Sequence, residues 1–422
     1  PRRGVTPRHI GGLLLLVALV LVAPQMRSGT EFVRIRNALS LGADVTPREL
    51  VWAPPDFPVD FKTETVVPPV YFVDVTRRLG LAEQADDWSR AVAISHHLLG
   101  AAPALNGGAI KQGLEATHRR IVELGDGYCG DFARVFIALS NAAGMTVRPW
   151  AFSFDGFGGH GHIWVEVWNR SLRAWQLVDV FQNYYFTLDD GTPLSAMAFR
   201  EAMAAGDPRL RLRLLHPGRP PGWTIEAKAR DYFRRGLAEW YVPWGHNVLS
   251  VDASPLVDVV KEAPRALANL AAWGGGLSPD IRLLVTPDNA PQREALHGLR
   301  ARLGLASALG LAGLLLLAWP GRTVRQRAVS ASVDHDTAWP RVCLVGPMPP
   351  PSGGMANQCE QLVRLLRAEG AHVELVRTNP PYWPAFTGRV PVLRAAVRLL
   401  PYLARLWLTA GRTDVMHVLA NS

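Results

Sequence analysis

The chain has 422 residues, 48% of them hydrophobic and 19% charged, with a formal net charge of +9. That length allows two or three domains of about 100 to 200 residues each, and the composition excludes a disordered, collagenous or disulfide-framework protein. Only four of the 45 basic residues are Lys (Lys62, Lys111, Lys228, Lys261); the Arg are spread along the chain without a basic patch interleaved with aromatics, so no nucleic-acid partner is expected.

Because it begins at Pro1 without an initiator Met and stops at Ser422 after a strand-like run, the chain reads as a fragment. Behind Arg2, Arg3 and Arg8, residues 10–23 form an uncharged run of the kind found in export signals. Cleavage after Ala23 would put Leu21, which is not small, in the other recognition position with Pro24 next, so an uncleaved signal-anchor is expected after the short N-terminus 1–9. A second uncharged run, residues 303–319, is flanked by Arg300 and Arg302 on one side and Arg322, Arg325 and Arg327 on the other. At about 1.5 Å per residue it just reaches across a bilayer, and a core helix rarely lacks a polar stripe. Two spans put both chain ends on one side and residues 24–302 on the other; the flanking Arg are too balanced to say which.

Residues 24–75 are rich in Pro and turn residues and are expected to be an extended lead-in. Three-four apolar spacing then predicts helices over Asp86–Leu99 and Ala109–Leu124, the second ending in Gly125-Asp126-Gly127. Tyr128-Cys129-Gly130-Asp131 opens a third helix with one apolar stripe, Phe132, Val135, Phe136, Leu139 and Ala143, closed by Gly144. A thiol at a helix N-terminus is favoured as thiolate by the dipole and the free N–H groups, which can also hold an oxyanion. The Gly-rich loop 155–161 leads into a strand and not a helix, which excludes a dinucleotide fingerprint. In the strand His162-Ile163-Trp164-Val165-Glu166-Val167-Trp168 the alternation separates His162, Trp164, Glu166 and Trp168 from a core face of Ile163, Val165 and Val167. The next strand, Trp175 to Val180, carries Asp179. Nucleophile, base and orienting carboxylate thus come from one helix start and two consecutive strands. His160 is a rival base, Glu166 a rival orienting carboxylate, and Asp131 a charge that satisfies the helix end.

Gly127-Tyr128-Cys129-Gly130-Asp131, His162-Ile163-Trp164-Val165-Glu166 and Trp175-Gln176-Leu177-Val178-Asp179 together resemble the transglutaminase-like superfamily, papain-like in fold, over residues 109–186. The resemblance implies Cys129 as nucleophile, His162 as general base and acid, Asp179 as the residue that fixes the imidazole, and Trp164 as a substrate contact. It implies acyl transfer or hydrolysis of an amide or ester through a thioester, without a cofactor, on a peptide, protein or glycan acyl substrate. A catalytically inactive recognition module is the alternative. The expected α+β domain spans 76–200, followed by an α/β extension over 201–302 in which Asp231–Tyr241 reads as an aromatic-rich helix and Ile281–Val285 as a strand.

After a linker over 320–339, residues 340–422 change pattern: strand 342–345, a Pro- and Gly-rich loop, helix 355–369 and strand 372–376 make a βαβ start. With Asp414-Val415-Met416-His417-Val418 this is similar to the first part of the N-terminal domain of family-4 type GT-B glycosyltransferases, a Rossmann-like α/β fold. The resemblance implies a nucleotide-sugar donor for the complete enzyme, with Gly353 and Gly354 as the only loop positions offered for substrate. Residues 390–408 mix Arg with Leu and could lie on an anionic membrane surface or pack on the sheet. A segment that uses nucleotide-sugars faces the cytoplasm, which places residues 24–302 outside a bacterial inner membrane with both termini inside.

Overall fold

A computed structural model describes residues 7–26, 29–100, 102, 104–110, 112–220, 222, 225–255, 274–317, 340–349, 353–380, 402 and 405–419. The expected linker 320–339 lies outside the described residues, as do residues 1–6, the last two positions of the second apolar run and most of residues 390–408. The chain divides into two units, 18–307 and 1–17 with 308–422.

In the larger unit, five strands order as β3-β2-β1-β6-β7, with β1 Val147–Ser153, β2 Gly161–Asn169, β3 Ala174–Val178, β6 Trp240–Pro243 and β7 Ile281–Leu283. All four pairings are antiparallel. Residues 201–302 therefore do not form a separate extension: they supply two strands of the sheet that carries the motif strands. Trp240 and Tyr241, expected in a helix, are the start of β6, because the helix α8 is Glu226–Arg235 and a glycine, Gly236, follows it.

Both faces of this sheet are buried, against the expectation of one core face. On one side Val165, Val167 and Val178 pack with α3 (Val70–Arg78), α4 (Asp87–Gly100), α5 (Leu114–Leu124) and α6 (Cys129–Ala142), whose Phe132, Val135, Phe136 and Leu139 form the expected stripe. On the other, Trp150, Phe152, Trp164, Leu177 and Trp240 pack with Phe199 of α7 (Ala196–Ala205) and Phe233 of α8. Alternation along β2 feeds both cores, valines to the helices and tryptophan to the aromatic side. The small antiparallel pair β4 Tyr184–Thr187 and β5 Arg211–Leu214, and α9 Val248–Asp252, complete the surroundings of the sheet.

The lead-in is not extended throughout. It holds α2, Gly29–Leu39, and a short 3-10 turn at Pro47–Leu50. Beyond α2, Leu41 and Val45 bridge to Ile281 and Leu284 at the outer edge of the sheet.

A buried ion pair sits in the aromatic side of the sheet. Cross-strand neighbours Arg148 and Glu166 join at 2.5 Å with side-chain exposures of 2% and 0%. Glu166 also accepts from Trp150 Nε1 and the Ala196 N–H, both at 2.5 Å, and Arg148 lies over Trp175 at 4.2 Å. Burial pulls the Arg148 guanidinium down from its usual range and Glu166 opposes that.

The helix α10, Ala290–Leu317, changes character along its length. Leu296, Leu299 and Leu303 are buried on the larger unit, with Arg293 paired to Asp44 at 2.5 Å, whereas Leu305, Leu311, Leu314 and Leu315 are exposed. Among the described residues this is the one helix long and apolar enough to cross a membrane; the segment from α1 (Pro7–Val22) into α2, bent by 117°, qualifies only as a pair. In the second unit α1 and α10 cross closely: a Cβ built on Gly11 would lie 2.8 Å from Gly313 O. Small residues at a crossing let two apolar helices approach to backbone contact. The same unit holds a parallel sheet ordered β10-β8-β9, with β8 Val342–Gly346, α11 Gly354–Ala368, β9 Val373–Arg377 and β10 Val415–Val418. The expected βαβ start is thus present.

The Arg148–Glu166 pair sets a stability test. Glu166→Ala strands a buried guanidinium and should cost about 3–5 kcal/mol in denaturant unfolding of the full chain, while Arg148→Met with Glu166→Leu should cost less than that single change.

Candidate active site

The turn before α6 depends on glycine. Gly125 has φ 71°, and a Cβ there would lie 1.8 Å from Ala104 O. Tyr128 then runs extended into the helix, and the Asp131 carboxylate turns back to accept the N–H groups of Tyr128 at 3.0 Å and Ile110 at 3.3 Å. Asp131 is fully buried and caps the helix, the role expected from its place in the first turn. Cys129, half-buried, is the first residue of α6; the Asp131 and Phe132 N–H groups of that turn bond to Tyr128 O at 2.8 and 3.1 Å.

His162 is the second residue of β2, and Asp179 follows the last residue of β3. Because Val165 pairs with Val178, the position opposite Asp179 is Trp164 and His162 is its diagonal neighbour on the same face. The two meet: His162 Nε2 and Asp179 Oδ2 are 2.7 Å apart, each side chain 1% exposed. Asp179 is held in turn by reciprocal backbone bonds with Tyr184, both 2.9 Å, and by the Gln182 N–H on Oδ1 at 3.2 Å.

With Nε2 committed to Asp179, Nδ1 is the ring nitrogen left to face the thiol. Burial, the largest effect on His162, favours the neutral ring; the charge and hydrogen bond of Asp179, then those of Cys129, outweigh it and push the imidazole up to about 10. Cys129 acts on the same ring, after Asp179 in the size of its effect.

The loop entering β2 is tied from two sides. Glu239 accepts the N–H groups of Gly156 and Phe157, both at 2.9 Å, and the Ser153 hydroxyl. From α2, Arg34 Nε donates to Gly156 O and Asn37 Nδ2 to Phe157 O, both at 2.8 Å. His160, the rival base, is exposed in this loop and stacks on Phe154 at 6.1 Å. Glu166, the rival carboxylate, is committed to Arg148.

Trp164 differs from its expected place as a substrate contact. It is 2% exposed and packs against Trp240 at 4.8 Å and the His162 ring at 5.8 Å, so it backs the imidazole from the core. Tyr232 of α8 instead stands at the imidazole: its ring is 6.0 Å from that of His162, and its hydroxyl donates to Gly161 O at 3.1 Å. Burial first, then the charges of Cys129 and Asp179, raise its phenol above the usual range. From sequence it reads as one member of a core aromatic stripe, and no local signal marks it, because α8 reaches the site only through the fold.

Gly353 caps α11 in an extended conformation, and a Cβ at Gly353 or Gly354 would meet nothing within 4 Å, so packing does not require glycine there. Among the described residues no group of three His, Cys, Asp or Glu is placed to hold a metal ion.

No curated protein and no solved structure matches the chain. A family match covers residues 81–180, which take in α4, α5, α6, β1, β2 and β3 with Cys129, His162 and Asp179. Residues 81–180 are a transglutaminase-like superfamily domain, Transglut_core.

Proposed function

We propose that the chain is a membrane-anchored cysteine enzyme that cleaves an amide or ester through a thioester, with Cys129 as nucleophile, His162 as base and acid, and Asp179 holding the imidazole. The observation that carries this reading is the buried His162–Asp179 bond at 2.7 Å with Cys129 acting on the same ring from the start of α6. The Cys129 sulfur attacks the acyl carbon, the bond to nitrogen or oxygen breaks, and the His162 imidazolium gives its proton to the leaving group. Water or an amine then attacks the thioester while His162 takes its proton, which frees the acyl product and restores the thiol. The N–H groups of Cys129 and Gly130, the first two of α6, are the candidates to receive the oxyanion.

The apolar second half of α10 and its close crossing with α1 support anchoring by two spans; use of a nucleotide-sugar by residues 340–422 would put residues 24–302 outside the cytoplasm. The parallel β10-β8-β9 sheet supports reading residues 340–422 as the start of a glycosyltransferase domain, for which a nucleotide-sugar is the expected donor. Joined in one chain, the two parts fit a role in cell-envelope or surface-glycan assembly. The alternative is a non-catalytic recognition domain on the same fold.

Labelling separates these readings. Cys129 should react with a thiol probe at neutral pH faster than in the denatured chain, and Cys129→Ala should abolish turnover of amide or ester substrates; equal labelling rates or retained turnover would refute the enzyme. A reporter fused after residue 330 should be active only in the cytoplasm. Since Asp179 is the leading influence raising His162, activity should persist to high pH and fall as the imidazolium is lost near about 10. In Asp179→Asn that alkaline limb should move to lower pH.

A further inference from the structure

On the outer side of Tyr232 lies an open cleft of about 420 Å³ lined by Ala227, Lys228, Asp231, Tyr232 and Arg235. All five come from α8, where spacings of three and four residues put them on one face. Tyr232 both lies beside the His162 imidazole and lines the cleft, so the cleft adjoins the His162 side of the site.

The cleft has an uneven charge. Lys228, Asp231 and Arg235 are exposed, and among the described residues neither cation has a carboxylate within ion-pair distance. This contrasts with Arg230 on the same helix, which is paired to Glu226 at 2.6 Å. Arg235 is fixed another way, with its guanidinium 4.3 Å above the Phe154 ring, which itself stacks on His160. A guanidinium anchored by its face keeps its N–H edge free for an anion. Two unpaired cations against one carboxylate leave the cleft positive, and nothing else in its lining is charged.

We propose that this face of α8 is a subsite for a negatively charged group of the substrate, so that the preferred substrate is an acidic acyl compound whose anion lies on the His162 side of the cleaved bond. The inference rests on the thioester reading above and adds the substrate class. Lys228 and Arg235 supply the attraction, Asp231 tempers it, and Tyr232 separates the anion from the imidazole.

Charged thiol reagents of equal reach test it in the purified full chain. The anionic 2-sulfonatoethyl and the cationic 2-(trimethylammonio)ethyl methanethiosulfonates each transfer their thioalkyl group to the Cys129 thiolate and release methanesulfinate, and modification is followed at Cys129 by mass spectrometry. The anion-to-cation rate ratio includes the effect of the imidazolium, so the comparison is between variants. In Lys228→Ala with Arg235→Ala the ratio should fall by about five- to tenfold at low ionic strength, with the difference shrinking as salt is added. Asp231→Asn should raise it, and the exposed control Arg48→Ala should leave it unchanged. A ratio that stays within about twofold in the double variant overturns the subsite. Uncharged methyl methanethiosulfonate reports the thiol itself: if Cys129 is no faster than in the denatured chain, the enzyme reading fails, whereas a reactive Cys129 with an unmoved ratio removes only the subsite.

Discussion

An imidazolium cannot be held inside a protein without a counter-charge, and the His162–Asp179 pair meets that constraint at 1% exposure. Burial alone would leave the ring neutral; the carboxylate reverses the preference. Much of the surrounding structure serves to keep the two in place. The β2–β3 register sets them diagonally, the Tyr184 bridge fixes the Asp179 backbone, and the ties from Glu239, Arg34 and Asn37 hold the loop from which His162 emerges. Trp164, Phe233 and Phe152 back the ring from the core, and Phe181 and Tyr232, both partly exposed, stand beside it.

The same strand carries a second buried charge with a different purpose. Glu166 is four residues from His162, about 13 Å along a strand, and sits in an aromatic box with Arg148. It also takes the first N–H of α7, so it links the sheet to the helices on the aromatic side. One face of β2 therefore presents the His162–Asp179 pair at its start and the Arg148–Glu166 ion pair at its middle, and only the neighbours distinguish the two.

Helices next to the apolar runs also pack on the larger unit's sheet and loops. The helix α2, directly after α1, donates to the Gly156 and Phe157 carbonyls, and the first half of α10 packs beside β7 through Leu296 and Leu299. Through those two bonds α2 holds the loop that leads into His162.

Much of the site was legible because its parts are local patterns. A Gly-rich turn followed by Cys129 and Asp131 encodes a capped helix start, and two-residue alternation encodes the strands that carry His162 and Asp179. The βαβ run at 342–377 was readable for the same reason. What alternation could not supply was which face is buried, since Val165 and Trp164 both go into cores. Nor could it show that β6 and β7 complete the motif sheet, that Glu166 belongs to Arg148, or that Tyr232 faces His162. Those depend on contacts between residues tens of positions apart, where pairing is chosen by packing, charge and register across the whole sheet. The sequence by itself determined the chemical groups and the elements that carry them; the tertiary structure alone decided which of those groups meet, because no local propensity reports a long-range contact.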